Sequence, residues 1–184
     1  MKTDLSTYNT TVYTAGSKLK CMLWYTVSLF FFKGSWNISS PLKVVLLRFF
    51  GASVGKGVVI KQSVNIKYPW KLSLGNHCWI GEGVWIDNLD QVTLEDHVCL
   101  SQGALLLCGN HNYKTTSFDL MIAPIYLKEG SWIGAKASVG PGVTSGSHAV
   151  LSMGAIATRD LSAYTVYGGN PAKIRNTRKI VKQP

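Results

Sequence analysis

Residues 54–86, VGKGVVIKQSVNIKYPWKLSLGNHCWIGEGVWI, put an aliphatic side chain at Val54, Ile60 and Ile66, step eight residues to Leu74, and then repeat the step of six at Ile80 and Ile86. The rhythm continues at Leu94, Leu100 and Leu106, resumes at Leu127, Ile133 and Val139, and runs out through Ser145, Leu151 and Ala157. Thirteen of these fifteen positions are Val, Ile or Leu, which rules out chance alternation. Four residues after each aliphatic the side chain is usually small or β-branched, as at Val58, Val64, Cys78, Val84, Val98, Ala104, Ala137, Val143, Ala149 and Ala155. Each six-residue unit therefore has two compact apolar positions that can point inward. Three short strands close a triangular coil, and coils stack at the strand spacing of ~4.8 Å. The expected fold is mainly β, a parallel β-helix of about five coils over residues 54–162. Glycine follows the aliphatic at 55, 75, 81, 134, 140 and 146, where free backbone dihedrals are expected to let the chain turn.

One junction breaks the rhythm. Leu106 and Leu127 are 21 residues apart, against eight at the earlier junctions, so about thirteen residues leave the prism as an excursion loop at about 109–126. Long departures from a rigid scaffold are where function concentrates. Before the repeats, residues 1–53 contain two expected helices, 17–32 and 41–50, which would cap the open end of the prism. The apolar run CMLWYTVSLFFF at 21–32 is about half the ~20 residues that cross a bilayer, although peripheral membrane contact by this basic-flanked segment is a second reading. Residues 163–184 form a tail expected to turn through Gly168, Gly169 and Pro171 and then to make a short helix.

Composition narrows the function classes. The formal net charge is +10, with Arg159, Lys173, Arg175, Arg178, Lys179 and Lys182 clustered late. That charge suits an anionic partner such as a phosphorylated ligand, and no nucleic-acid-binding motif accompanies it. Cys21, Cys78, Cys99 and Cys108 have no C-x-x-C pairing and no zinc-site spacing, so free thiols in a reducing compartment are expected. The start, MKTDLSTYNTT, lacks the order of a secretion signal, which points to a cytoplasmic protein.

Repeat phase separates the four histidines. His77, His97 and His148 each fall three residues after an aliphatic position, an outward place, whereas His111 falls five after Leu106, where the excursion departs. A histidine beside a loop suits general-base work near neutral pH, and its substrate would be a weak nucleophile such as a hydroxyl. Neither a Gly-x-Ser-x-Gly elbow nor a Cys–His signature suggests a covalent acyl-enzyme.

GNHNY at 109–113, EGSWIGAKASVGPGVTSG at 129–146 and GGNPAKI at 168–174, set in this array, resemble the hexapeptide-repeat O-acetyltransferases. The likeness is greatest to the maltose and galactoside group and to colanic-acid-type exopolysaccharide enzymes, and covers about residues 54–175. It implies a left-handed coil, a homotrimer with active sites in the grooves between prisms, and acetyl-CoA as co-substrate with no metal required. His111 then matches the base that takes the acceptor hydroxyl proton. Trp132 matches the lining of the pantetheine channel, with an exposed corner aromatic like Trp79 or Trp85 as the alternative. Ala135 and Met153 match cofactor-wall positions, and Thr158, Arg159 and Lys173 match groups near the nucleotide end, or else belong to a solvated basic tail. Asp87 replaces the usual glycine at its repeat position and precedes Asn88, so it is a candidate acceptor-side group, as are Asn112 and Tyr113 on the loop. His111 ends the third hexapeptide of its coil and Trp132 the first of its own, so a site using both would draw them from two subunits. The acceptor implied is a sugar or polysaccharide precursor, possibly lipid-linked. Two other readings stay open: a γ-carbonic-anhydrase-like metalloenzyme, and a non-catalytic β-helix scaffold.

Overall fold

In a computed structural model, which describes residues 2–9, 13–35 and 38–182, the repeat array forms a prism with three parallel faces. On the first face, Val54 pairs with Leu74, Leu74 with Leu94, Leu94 with Leu127 and Leu127 with Ser145. On the second, Ile60, Ile80, Leu100, Ile133 and Leu151 stack in line. On the third, Ile66, Ile86, Leu106, Val139 and Ala157 do the same. All fifteen core positions of the sequence pattern thus stand in register, and almost all are under 4 % exposed. The small residues four positions later fill the space between them: Val64, Val84, Val98, Ala104, Ala137 and Ala149 are completely buried.

The prism is longer than the repeat count suggests. Leu161 bridges to Ser145 and the strand Thr165–Gly168 pairs with Val150–Leu151, so a sixth, partial coil follows the five. The tail then departs from expectation. In place of a short helix, Lys173–Thr177 runs back antiparallel to Thr165–Gly168. The edge of the last coil presents unpaired backbone N–H and C=O groups, and Tyr167 is buried over Leu151. Satisfying that edge outweighs the weak helix preference of a segment with two glycines and a proline.

The glycines after the aliphatic positions serve a different purpose from the one expected. Gly55, Gly75, Gly81, Gly134 and Gly146 have ordinary φ, but a Cβ on any of them would lie 2.5–2.9 Å from atoms of the adjacent coil. These residues let successive coils approach closely. The left-handed turn falls two residues later, at Gly57, Gly83, Gly103, Gly130, Gly142 and Gly154, and the outward histidines His77, His97 and His148 occupy the same position with φ of 55°, 60° and 57°. His77 and His97 stack there, ring centroids 5.3 Å apart.

Two helices precede the prism. Helix α1, Lys18–Ser28, starts at Ser17, whose hydroxyl accepts from Lys20 N, and extends into a π-helical turn over Leu29–Lys33. Helix α2, Ser40–Phe49, has proline in its first turn and lies over the first coil. Its Arg48 donates to the carbonyls of Val54 and Gly55, and the buried Lys43 Nζ donates to those of Ile60 and Lys61. These bonds answer carbonyls of the first coil that have no coil beneath them. Burial pushes the pKa of Lys43 down, because the ammonium loses its water. Trp24 of α1 packs edge-on to Phe32 and donates to Ile66 O, which fixes the helix against the third face.

Candidate active site

The excursion at residues 109–124 is not irregular. Gly109–His111 pairs antiparallel with Leu120–Ile122, so the loop leaves the prism as a β-hairpin arm. Its turn is pinned by Asn112 N donating to Asp119 O and Ser117 Oγ donating to Asp119 Oδ2. Phe118 takes φ +52°, a left-handed conformation unusual for a bulky residue, and this brings its carbonyl 2.9 Å from His111 Nδ1. The two rings stack with centroids 4.5 Å apart and planes 8° from parallel. A carbonyl only accepts, so Nδ1 carries the proton, and Nε2 of the neutral ring is left as a base.

His111 lines a cavity of about 560 Å³ together with Tyr8, Tyr13, Lys67, Tyr68 and Asp87. Asp87 is buried at the end of the third-face strand Trp85–Asp87, and Lys67 Nζ lies 2.8 Å from its Oδ1, an ion pair aligned poorly for a hydrogen bond. Asn88 beside it accepts from Tyr68 N and donates to the carbonyls of Tyr68 and Lys71, which locks this corner in place. Tyr13 donates to Leu89 O, and burial, above all, raises its pKa so that the phenol stays protonated. His111 and Asp87 therefore meet in one cavity. Asn112 and Tyr113 do not line it: Asn112 serves the hairpin turn, and Tyr113 is 75 % exposed.

A second groove, of about 570 Å³, runs along the second face. Trp132, Ala135 and Met153 line it with Ser101, Ser152 and Arg178. Trp132 Nε1 donates to Ser101 Oγ at 2.8 Å, which holds the indole across the coil boundary. Arg178 Nη1 donates to the carbonyls of Gly130 and His148 and draws the tail over the groove wall. Thr158, Arg159 and Lys173 lie outside the groove and are exposed. They gather at the far end of the prism, where Ala172 N donates to Ile156 O. The groove and the His111 cavity have no lining residue in common.

Sequence reasoning missed Tyr8, Tyr13, Lys67 and Tyr68. Lys67 and Tyr68 sit in the eight-residue junction after Ile66, and that extra length was the available signal. Nothing in the sequence ties Tyr8 and Tyr13 to residues about a hundred positions away. Among the described residues no group of three or more potential metal-ligating side chains gathers. All four cysteines are free, and burial pushes the Cys78 and Cys108 thiols up to about 11. No described helix is long and apolar enough to cross a membrane.

No protein-family model matches the chain. A protein of Escherichia coli K12 named colanic acid biosynthesis acetyltransferase WcaF is 36 % identical over 163 residues, covering 89 % of this chain and 90 % of its own. Among solved structures, a maltose O-acetyltransferase from Clostridium difficile 630 superposes with a TM-score of 0.81 at 20 % identity, covering 91 % of this chain and 92 % of that one. A hexapeptide-repeat acetyltransferase from Vibrio cholerae, solved with acetyl-CoA, gives 0.80 at 18 % identity and covers 89 % of each chain. With its six-residue coils in register, its hairpin arm at the expected interruption and a relative of this identity matched along nearly its whole length, the chain belongs to the hexapeptide-repeat acetyltransferases.

Proposed function

We propose that the protein transfers the acetyl group of acetyl-CoA to a hydroxyl of a sugar or polysaccharide precursor, directly, in a ternary complex. The observation that carries this reading is the 2.9 Å contact between His111 Nδ1 and the Phe118 carbonyl, which engages one ring nitrogen and leaves Nε2 as the nitrogen to meet an acceptor in a cavity shared with Asp87. The acceptor hydroxyl gives its proton to Nε2 as its oxygen attacks the thioester carbonyl, forming the C–O bond. Backbone N–H groups near the donor channel stabilise the developing oxyanion. The C–S bond then breaks, and the imidazolium returns the proton to the departing CoA thiolate. Asp87 and the tyrosines orient the acceptor, Trp132, Ala135 and Met153 hold the pantetheine arm, and Thr158, Arg159 and Lys173 meet the nucleotide end as charged and polar donors. The His111 cavity and the Trp132 groove lie on different faces of one chain, so the complete site is assembled by a homotrimer from the cavity of one subunit and the groove of its neighbour. The test is a panel of sugars with acetyl-CoA, reading CoA thiol release. His111→Ala is expected to lower kcat by about 10²–10⁴-fold while the oligomer stays intact, and unchanged turnover with a verified acceptor would overturn the mechanism.

The N-terminal helices are read as a surface for an anionic membrane. Leu19, Met22, Leu23, Phe30, Val45 and Phe49 are each at least half exposed on α1, its π-helical turn and α2. Between Asp4 and Glu82 the chain has nine lysines and arginines and no acidic residue. Apolar and cationic surface together is the pattern of interfacial helices. The protein is expected to co-sediment with vesicles containing phosphatidylglycerol and not with neutral ones, and equal binding to both, or binding to neither, would remove this reading.

A further inference from the structure

His111 stands at the outermost paired position of an arm held by three residue pairs, Gly109 with Ile122, Asn110 with Met121 and His111 with Leu120. A two-stranded hairpin is marginal on its own in water, so the place of the imidazole depends on what else the arm touches. That support comes from the beginning of the chain. Asp4 caps a 3₁₀ turn, Leu5–Thr7: its Oδ1 accepts from Ser6 N at 3.0 Å and from Ser6 Oγ at 2.6 Å, and its carbonyl accepts from Thr7 Oγ1 at 2.7 Å. Asp4 N donates to Thr116 O at 2.8 Å, which ties the turn to the tip of the arm. The turn delivers Tyr8 against His111, with ring centroids 5.7 Å apart and planes 53° from parallel, within the range of favourable aromatic contact. Tyr8 is half-buried, whereas residues 2–7 and Asn9 around it are exposed. Leu5, Tyr8, His111 and Phe118 line an apolar space of about 270 Å³ beside the imidazole. The chain meets the prism at Tyr13, whose hydroxyl donates to Leu89 O at 3.1 Å.

Phe118 does not supply that support. Its carbonyl engages Nδ1 and its ring stacks on the imidazole, but Phe118 belongs to the same arm and moves with it. Tyr8 belongs to a different segment, and it stands in the wall of the acceptor cavity with Lys67, Tyr68 and Asp87. We infer that Tyr8 is a positioning residue for the base: its ring, carried on the capped turn at 4–8, holds the His111 imidazole at the angle from which Nε2 meets the acceptor hydroxyl. The inference rests on the acetyl-transfer reading for what the imidazole does. That Tyr8 holds the ring is a separate claim, which can be measured without turnover.

The first experiment is steady-state kinetics of the full-length protein with acetyl-CoA and an accepted sugar. Tyr8→Ala is expected to lower kcat by at least about tenfold with the KM for acetyl-CoA unchanged, because a base misplaced by about 1 Å loses up to about 10² in rate. Tyr8→Phe keeps the ring and is expected to hold kcat within about threefold of the wild type, so that any part the hydroxyl plays with the acceptor shows in that sugar's KM. Asp4→Pro removes the donor to Thr116 O and the carboxylate that caps the turn, leaves Tyr8 itself in place, and is expected to fall between the two. An undiminished kcat in Tyr8→Ala, an equal loss in Tyr8→Phe and Tyr8→Ala, or a wild-type kcat in Asp4→Pro would each overturn the inference. The second experiment needs no turnover. In protein labelled with nitrogen-15 in its histidine rings, the His111 signals, assigned by their loss in His111→Gln, are expected to be sharp and of one tautomer in the wild type and in Tyr8→Phe. In Tyr8→Ala they are expected to broaden or average while those of His77, His97 and His148 stay where they are. Unaltered His111 signals in Tyr8→Ala would overturn the inference. If no sugar releases CoA, the transfer reading fails while these signals still decide whether Tyr8 holds the ring.

Discussion

The groove at Trp132 and the cavity at His111 are built in opposite ways. Every residue of the groove's floor is a regular member of the repeat: Trp132 pairs across to Cys99 and Val150, and Ala135 and Met153 sit at corners of successive coils. The cavity is made of departures from the repeat. Asp87 stands where a glycine is usual, Lys67 and Tyr68 fill a lengthened junction, His111 rides on an inserted hairpin, and Tyr8 and Tyr13 come from before the prism. A regular solenoid gives a constant trough suited to an invariant donor, and its interruptions give a shaped pocket suited to a particular acceptor.

The comparison is tested most severely by separating the two regions genetically. Co-expressed His111→Ala and the groove-blocking Ala135→Trp are each expected to be inactive alone. Together they should recover about a quarter of the wild-type sites, because random mixing pairs an intact cavity with an intact neighbouring groove at that frequency. No recovery would mean that both halves come from one chain. A smaller effect is expected from Gly134→Val: the new Cβ would lie 2.6 Å from Met153 N and 2.7 Å from Leu151 O, so stability should fall by about 2–4 kcal/mol in a denaturant titration. The smallest is expected from Trp132→Ala, which should raise the KM for acetyl-CoA by about tenfold with kcat little changed. A matching loss in kcat would show that the groove is not a mere trough.

The same contrast explains what could be read from the chain. The prism was legible because its core positions recur at a fixed step, and all fifteen of them pair as the spacing requires. The hairpin's location was legible as a gap in that step, and Asp87 as a substitution within it. The role of the glycines was misread, because a glycine that permits close coil stacking and one that permits a left-handed turn look alike in sequence. The final hairpin was misread because its cause is the unpaired edge of the last coil, which no local pattern in GGNPAKI reports. Asn112 and Tyr113 are expected near the acceptor from their neighbourhood in sequence, and within one chain they belong to the hairpin turn and are not among the residues that line the cavity.

The hairpin arm leaves after Leu107 and rejoins at Ile125, and Leu94 and Leu127 pair across the gap as if nothing lay between them. Its length is therefore a free variable. The part of the arm beyond His111 can be lengthened, shortened or recut without changing the register of the coils on either side of it. Under the proposed transfer, the arm residues that line the cavity with His111, Asn110 and Leu120, could vary with the acceptor while the coils that carry the Trp132 groove stay as they are. The arm is the natural place to graft when a new acceptor specificity is wanted from this protein.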